Sequence, residues 1–246
     1  MKFIHAKETS DRILLVPLGD CHYGSVDCNV KKLKETIDWI KSKNNVRVIL
    51  MGDLIDSGLK DSVGAGTFDN NMTPEKQIDD MITMLQPVSS KIWCSLSGNH
   101  EGRIRERTSI DVSKIISSTL GIEYAGDMAF IKAKINSKNY TIFATHGNTG
   151  ALSIAGKLNA AMKYSTFVDA DIYCTGHVHT LLNHTSEYFS ISLKDKMIVK
   201  KKRHFVITGH FLNYSGYAEQ KGYAPGKTGV AKIELDGNKF DVHVSI

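Results

Sequence analysis

Aspartate, histidine and asparagine recur in this sequence directly after apolar stretches, and their side chains are ligands for divalent transition metals. Five groups follow this pattern: Asp20-Cys21-His22, Gly52-Asp53-Leu54-Ile55-Asp56, Gly98-Asn99-His100-Glu101, His146-Gly147 and Gly176-His177-Val178-His179. Any one group alone has an ordinary explanation as a turn or a helix cap. Their joint occurrence argues against five unrelated turns and predicts a metal site.

The ligand types are sufficient for two metal ions. A dinuclear site needs several nitrogen and oxygen ligands for each ion and one carboxylate that bridges the two ions. Two ions roughly 3.5–4 Å apart can activate water for in-line attack on phosphorus and offset the negative charge that develops. We therefore expect two divalent metal ions as cofactors, with Mn favoured and Fe, Zn, Ni, Co or Mg as alternatives.

Buried strands are expected to position these groups. The apolar, β-branched run 46–51 lacks period-2 alternation, which favours a strand that is covered on both faces. Gly52 allows a tight turn, so Asp53 should lie at the carboxyl end of that strand, where open α/β sheets bind ligands. The same reasoning predicts strands at 13–18, 92–97, 140–145 and 171–175.

The remaining pattern predicts helices and a second sheet. Helical spacing of apolar residues predicts helices at 29–43, 73–86, 111–120 and 152–164, with Thr73 as N-cap and Pro87 as the stop of the second. Residues 129–134 and 140–145 form a predicted antiparallel pair. After His179, short runs at 189–193, 197–199, 205–208, 230–235 and 240–244 predict a second, largely antiparallel sheet packed on the first, with a tight hairpin at Asp236-Gly237.

Length and composition are those of an ordinary globular α/β chain. The 246 residues, 41% apolar and 23% charged, are expected to form one domain, 1–246. The sequence shows neither a secretory leader nor an apolar run that could cross a bilayer, so we expect a cytoplasmic protein with no membrane partner. The sequence makes no prediction of oligomeric state. Cys21, Cys28, Cys94 and Cys174 are expected to be reduced core residues, with Cys21 as an alternative soft-metal ligand.

Charge and loops leave some alternatives open. The net charge of +5 permits a polyanionic substrate without requiring one. The basic run 200–203 is expected to lie on a solvated edge strand. The loop 57–72, directly after Asp53 and Asp56, is either a lid with substrate contacts or a plain connection.

The five groups, in this order, resemble the signature of the calcineurin-like metallophosphoesterases over residues 14–179. The resemblance implies a four-layered α/β-β/α sandwich of two mixed sheets flanked by helices. It also implies a division of the ligands by position. Asp20, His22 and His179 would hold one metal, Asn99, His146 and His177 would hold the other, and Asp53 would bridge them.

Four further residues are candidates for catalysis or substrate contact. His100 matches the family's non-ligand histidine, which protonates the leaving group or stabilises the transition state. Asp56 matches an acid that in some branches orients this histidine. Arg103 is close to His100 in sequence and has a guanidinium suited to a phosphate oxygen. His210 is a candidate substrate contact because the metal ligand set is already complete without it.

The substrate is predicted from smaller features. Asp20-Cys21-His22-Tyr23-Gly24 is similar to the opening of bacterial and phage DNA-repair nucleases, although their capping domain is missing. Glu101 is also seen in protein-phosphatase-like members, although Ser57-Gly58 replaces their Arg-Gly. We expect a phosphodiesterase or nuclease that acts on nucleic acid or nucleotides. The alternatives are a phosphomonoesterase or phosphoprotein phosphatase and, more remotely, a non-catalytic metal-binding scaffold. The aromatic segment 209–217, with Lys221 and Tyr223, either lines the pocket or packs between the sheets.

Overall fold

The computed structural model describes residues 2–60, 70–193, 196–215, 217–220, 222 and 224–246. Its strands are β1 Lys2–Glu8, β2 Arg12–Leu18, β3 Val46–Leu50, β4 Ile92–Leu96, β5 Tyr124–Gly126, β6 Met128–Ile135, β7 Lys138–Thr145, β8 Ile172–Thr175, β9 Leu181–Ser192, β10 Met197–His210, β11 Gly229–Val230, β12 Lys232–Asp236 and β13 Val242–Ser245. Its α-helices are α1 Val30–Ser42, α2 Pro74–Leu85, α3 Asn99–Thr108, α4 Val112–Leu120, α5 Ile154–Met162 and the short α6 Tyr217–Gln220.

The strands form two mixed sheets. Sheet 1 has the order β13-β12-β2-β3-β4-β5, and its four strands from β2 to β5 are parallel. Sheet 2 has the order β1-β6-β7-β8-β10-β11, and β9 pairs with β10. Within sheet 2, β7, β8 and β10 are parallel. The carboxyl ends of β2, β3 and β4 therefore form one edge of sheet 1, and those of β7, β8 and β10 form one edge of sheet 2.

The two sheets pack face to face between helices. The layer between them is apolar and takes side chains from both sheets, including Leu15 and Ile49 from sheet 1 and Ile131 and Ile142 from sheet 2. Helices α1, α2 and α4 cover the outer face of sheet 1, and α5 covers sheet 2. This arrangement of two mixed sheets flanked by helices confirms the predicted fold class.

The prediction for the carboxyl-terminal strands was wrong in its topology. These strands do not form a separate sheet: β9, β10 and β11 extend sheet 2, whereas β12 and β13 join sheet 1 through an antiparallel pairing of β12 with β2. The runs 197–199 and 205–208 belong to one continuous strand, β10, because lysines that interrupt the apolar pattern do not interrupt its pairing with β9. The turn between β12 and β13 has five residues, 237–241, rather than a tight hairpin.

The four predicted helices are confirmed, whereas helix α3, strands β1 and β5 and the first half of β9 were not predicted. Thr73 caps α2 with its side chain, and Leu33, Ile37 and Ile40 form the buried face of α1. Strand β1, which pairs in parallel with β6, was not predicted because its residues are mostly charged or exposed on the sheet edge.

The loop prediction for 57–72 falls partly outside the described residues, which omit 61–69. All four cysteines are buried and free of disulfides, as predicted. Among the described residues, no helix is long and apolar enough to cross a membrane.

Candidate metal centre

The five predicted groups lie at the carboxyl ends of five strands. Asp20 and His22 follow β2, Asp53 and Asp56 follow β3, and Asn99 with His100 begins α3 after β4. His146 follows β7, and His177 and His179 follow β8. Five of these residues have left-handed backbone conformations, with φ between 46° and 71°: Asp20, His22, Asp53, His177 and His179. Aspartate and histidine tolerate this region better than most residues, and such strain is common at functional sites.

Two glycines allow the ends of β3 and β4 to approach closely. A Cβ at Gly98 would lie 2.1 Å from both the backbone nitrogen and Oδ1 of Asp53. A Cβ at Gly52, whose φ is +86°, would lie 2.5 Å from the backbone nitrogen of Gly98. Neither position can accept a side chain without moving backbone. The Gly-Asp and Gly-Asn pairs therefore reflect packing between neighbouring strand ends.

Glu101 fixes the loop that carries Asp53. Its buried carboxylate accepts backbone hydrogen bonds from Gly98 and Asp53 through Oε2, at 3.1 and 3.0 Å. Through Oε1 it accepts from Leu54 and Ile55, at 2.7 and 3.3 Å. Four N–H donors converge on one carboxylate, so the backbone of the β3 loop is held in one position relative to α3.

The first predicted ligand set comes together. Nε2 of His22 lies 2.9 Å from Nε2 of His179, and Nε2 of His179 lies 3.4 Å from Oδ1 of Asp20. The Asp20 carboxylate is fully buried and accepts a hydrogen bond from the backbone N–H of His177. Three donor atoms from two different sheets therefore meet in one small volume, and their ligand atoms lie within 4.8 Å of one another.

The second set also comes together, and Asp53 lies between the two. Oδ1 of Asn99 is 2.9 Å from Nε2 of His146 and 2.8 Å from Nδ1 of His177. Oδ2 of Asp53 lies 3.2 Å from Nε2 of His146 and 3.8 Å from Nε2 of His22. A single carboxylate oxygen therefore faces an imidazole of each set.

The donor atoms suit divalent cations. Nδ1 of His146 donates to the carbonyl oxygen of Met51, and Nδ1 of His22 donates to the Asp56 carboxylate, because both partners can only accept. When both rings are deprotonated, as metal ligation requires, their Nε2 lone pairs are free and face the Asp53 carboxylate. Ligand atoms that converge in this way form an environment that a cation stabilises. The residues present thus fit metal binding.

The charges in the site are strongly coupled. Burial opposes ionisation of Asp53, but His146 and His100 outweigh it and hold the pKa of this carboxyl well below its usual range. Burial disfavours a charged His146, but the nearby Asp53 outweighs it and raises the pKa of His146 to about 10. Burial, reinforced by His100, lowers the pKa of His22 to about 4. The protein alone thus pairs one imidazolium with Asp53 and keeps His22 neutral.

His100 is held beside the two sets. Its Nδ1 donates to the backbone carbonyl oxygen of Asp56 at 2.6 Å and lies 3.2 Å from the Asp56 carboxylate. Its Nε2 lies 3.9 Å from Oδ2 of Asp53. Arg103 donates to Nε2 of His100 at 3.0 Å. The predicted proximity of Asp56 and Arg103 to His100 is therefore present in the structure.

Sequence reasoning missed the residues behind Asp56. Oδ2 of Asp56 accepts from Asn70 at 2.7 Å, and Asn70 in turn accepts from the buried Gln77 at 2.5 Å. Gln77 lies on the buried face of α2, where an apolar residue is the rule. A polar residue in an apolar helical stripe was the signal that could have identified this network.

His210 lies next to the first set but outside it. Its ring stacks on His179 with centroids 5.4 Å apart, and the residue is 6% exposed. Nδ1 accepts from the backbone N–H of Leu212. Burial lowers the pKa of His210 to about 4, so the ring is neutral. The structure thus places His210 beside a predicted metal ligand.

The other open predictions have mixed outcomes. Phe211 is fully buried, and Tyr214 is 46% exposed. Lys221, Tyr223 and the Tyr217 side chain lie outside the described part of the chain. Cys21 is buried in the apolar layer beneath the helices, and burial raises the pKa of its thiol well above the usual range.

Sequence comparison identifies the class of protein. Residues 14–245 match the family model of the calcineurin-like phosphoesterases, so this chain belongs to that family. The family and the cluster of candidate ligands together define a metal-dependent phosphoester hydrolase. A search of curated protein sequences finds no match.

Three solved structures match this chain over most of its length. Vps29 from Entamoeba histolytica, complexed with Zn²⁺, is 13% identical, with 95% of this chain and 97% of that chain covered and a TM-score of 0.46. A predicted phosphoesterase from Streptococcus pneumoniae is 15% identical, with coverages of 95% and 88% and a TM-score of 0.42. A metallophosphoesterase from Sphaerobacter thermophilus is 13% identical, with coverages of 95% and 89% and a TM-score of 0.44.

Proposed function

We propose that this protein is a dinuclear metal-dependent phosphodiesterase that acts on nucleic acid or nucleotides. The observation that carries the proposal is the position of Asp53, whose Oδ2 faces His146 of one ligand set and His22 of the other. A carboxylate in this position is suited to bridge two cations. Asp20, His22 and His179 would hold one ion, and Asn99, His146 and His177 would hold the other.

The two cations, when bound, would supply Lewis acidity toward phosphate oxygens and lower the pKa of a water molecule to near neutrality. The protein would supply the remaining functions. Asp56 and Met51 fix the tautomers of His22 and His146. Glu101 fixes the position of Asp53 through the backbone of its loop.

His100 and Arg103 are the proposed substrate-facing groups. Nε2 of His100 faces the ligand sets, and the guanidinium of Arg103 lies 3.0 Å from the same nitrogen. A phosphate oxygen next to His100 is therefore also within reach of Arg103. We assign Arg103 to a charge-assisted hydrogen bond with the phosphate, in exchange for its present hydrogen bond to Nε2 of His100. We assign His100, once Nε2 has taken up a proton, to protonation of the leaving oxygen. His210, stacked on His179, is a candidate contact at the other side of the site.

The preference for a diester rests on two features. The opening Asp20-Cys21-His22-Tyr23-Gly24 resembles that of the DNA-repair nuclease branch, and the net charge of +5 permits a polyanionic substrate.

The test compares bis-p-nitrophenyl phosphate with p-nitrophenyl phosphate. Metal-stripped protein is refilled with Mn²⁺, and Asp53→Asn is the blank. We expect a higher kcat/KM for the diester, followed by hydrolysis of DNA, RNA or cyclic nucleotides. A higher kcat/KM for the monoester would replace the proposal with a phosphomonoesterase or phosphoprotein phosphatase. Metal-loaded protein that hydrolyses neither these esters nor the nucleic acids and nucleotides would contradict it.

A further inference from the structure

The β9-β10 pair extends far beyond the rest of sheet 2. Strand β10 begins at Met197, but its pairing with β8 begins only at His204, opposite Ile172. At about 3.3 Å per residue, the intervening segment projects about 20 Å past the start of β8. Among the described residues, 197–203 have strand pairing with β9 alone. We call the described residues of this projection, 187–193 and 196–203, the arm.

The end of the arm is apolar and exposed. The side chains of five residues there are between 55% and 87% exposed: Phe189, Ile191, Leu193, Met197 and Ile198. We call these five residues the apolar tip. Ile191 lies directly opposite Ile198 across the two strands, so their side chains share one face. Met197, opposite Ser192, lies on the other face, so exposed apolar side chains project from both faces at this end. Exposed apolar side chains grouped in this way mark an interaction surface.

The arm is also strongly basic. Its described part has five cations and one acid: Lys196, Lys200, Lys201, Lys202 and Arg203 against Glu187. Lys200 forms an ion pair with Glu187, and Arg203 stacks on Tyr188 with 3.9 Å from its guanidinium carbon to the ring centroid. Lys196, Lys201 and Lys202 are exposed next to the apolar tip. The partner surface must therefore be both apolar and anionic.

In place of the sequence-based expectation of no membrane partner, we propose that the apolar tip docks on the surface of an anionic lipid bilayer. Aliphatic side chains gain free energy by entering the acyl boundary, while the lysines beside them reach the anionic headgroups. A second copy of the arm would bring the two groups of cations together, which opposes self-association. Nucleic acid would match the charge, but four of the five tip side chains are not aromatic and cannot stack on bases.

The arm lies at the opposite end of the molecule from the candidate metal centre. His210, at the other end of β10, stacks on His179. The 14 residues of β10 separate the two ends by about 40 Å. Docking would therefore leave the metal centre open to solvent, and the inference does not depend on the proposed function.

The test is cosedimentation with vesicles. The arm variant Phe189→Ser/Ile191→Ser/Ile198→Ser is compared with a matched control, Phe167→Ser/Ile110→Ser/Ile115→Ser, which changes the same residue types at other exposed positions. Vesicles contain phosphatidylcholine with or without about 30% phosphatidylserine. We expect the unmodified protein and the control to bind the anionic vesicles. The arm variant should bind them with an affinity at least roughly tenfold lower.

Two further measurements make the outcome decisive. Lys201→Gln/Lys202→Gln should weaken binding to anionic vesicles and reduce its dependence on salt, because these cations, one on each face of the arm, would reach the headgroups. Thermal unfolding followed by circular dichroism establishes that each variant is folded. Equal binding by the arm variant and the unmodified protein, or no binding by any of them, would overturn the proposal. Loss of oligonucleotide binding or of a dimer in the arm variant, without vesicle binding, would also overturn it.

Discussion

The two sheets supply different chemistry to the candidate metal centre. The loops of sheet 1 supply every candidate oxygen ligand, Asp20, Asp53 and Asn99, together with His22. The loops of sheet 2 supply only imidazoles, His146, His177 and His179. Each ligand set draws on both sheets, so the apolar layer between the sheets determines the distances between ligands.

The two contributions are also held differently. The sheet 1 loops bond to one another through the backbone: Cys21 and His22 both donate to the carbonyl oxygen of Asp53, and Glu101 accepts four N–H groups. On the sheet 2 side, His146 is oriented by one hydrogen bond to Met51, which lies in sheet 1's β3 loop. Carboxylates close to one another repel and need a rigid frame, whereas neutral imidazoles need only a fixed tautomer.

The largest expected effect comes from removing the bridging carboxylate. Asp53→Asn should abolish binding of both ions and lower kcat/KM by roughly a thousandfold or more, because several kcal/mol of charge stabilisation disappear. Elemental analysis after dialysis measures the metal content. Asp38→Asn, at an exposed position on α1, is the control. Two bound ions in Asp53→Asn would refute the bridging assignment.

Next come the imidazoles of the two sheets. His22→Ala and His146→Ala should each reduce metal content from about two ions to about one, because each ring belongs to a different set. The exposed His243→Ala serves as control. Identical loss of both ions in each variant would show that the two sets do not act separately.

A smaller effect is expected where no metal ligand changes. His100→Asn should retain both ions and lose roughly 10²–10⁴ in turnover, the usual contribution of a general acid. The loss should shrink for esters whose leaving groups need no proton. Uniform loss across a series of leaving groups would contradict proton donation by His100.

The next prediction tests whether Glu101 holds the loop that follows β3 in position. Glu101→Gln replaces one acceptor oxygen with an amide that faces N–H donors, which costs about 1–3 kcal/mol for each unsatisfied group. We expect a lower midpoint of thermal unfolding and a roughly 10–100-fold loss of metal affinity. Glu106→Gln, at an exposed position in α3, is the control. Unchanged stability and affinity in Glu101→Gln would show that the loop does not depend on this carboxylate.

The smallest expected effect is the release of a proton from His146 when metal binds. Because Asp53 raises the pKa of His146 to about 10, the metal-free protein holds a proton there that binding must displace. Metal affinity should therefore rise with pH below about 10. The same ion pair stabilises the metal-free fold fully below the unfolded histidine pKa of about 6.5, and this contribution is lost as pH rises toward 10. Calorimetry in buffers of different ionisation enthalpy measures proton release, which His146→Ala should reduce.

Local pattern was sufficient for the strand ends and most helices. The apolar runs before Asp20, Asp53, Asn99, His146 and His177 form strands, and each is followed directly by its polar group. The cap Thr73 could be predicted because capping depends on residues three positions apart. Pairing between distant strands has no such local signal. The sheet membership of β9 to β13 was therefore predicted wrongly.

For the candidate site, the sequence by itself determined which side chains follow each strand and the order of these groups along the chain. Only the tertiary structure decided that Asp53 faces both ligand sets, that Glu101 and Gln77 support the loops behind them, and that the arm projects from the opposite end. These properties depend on how two sheets pack and register, and each position is the sum of many weak contacts between residues far apart in the chain.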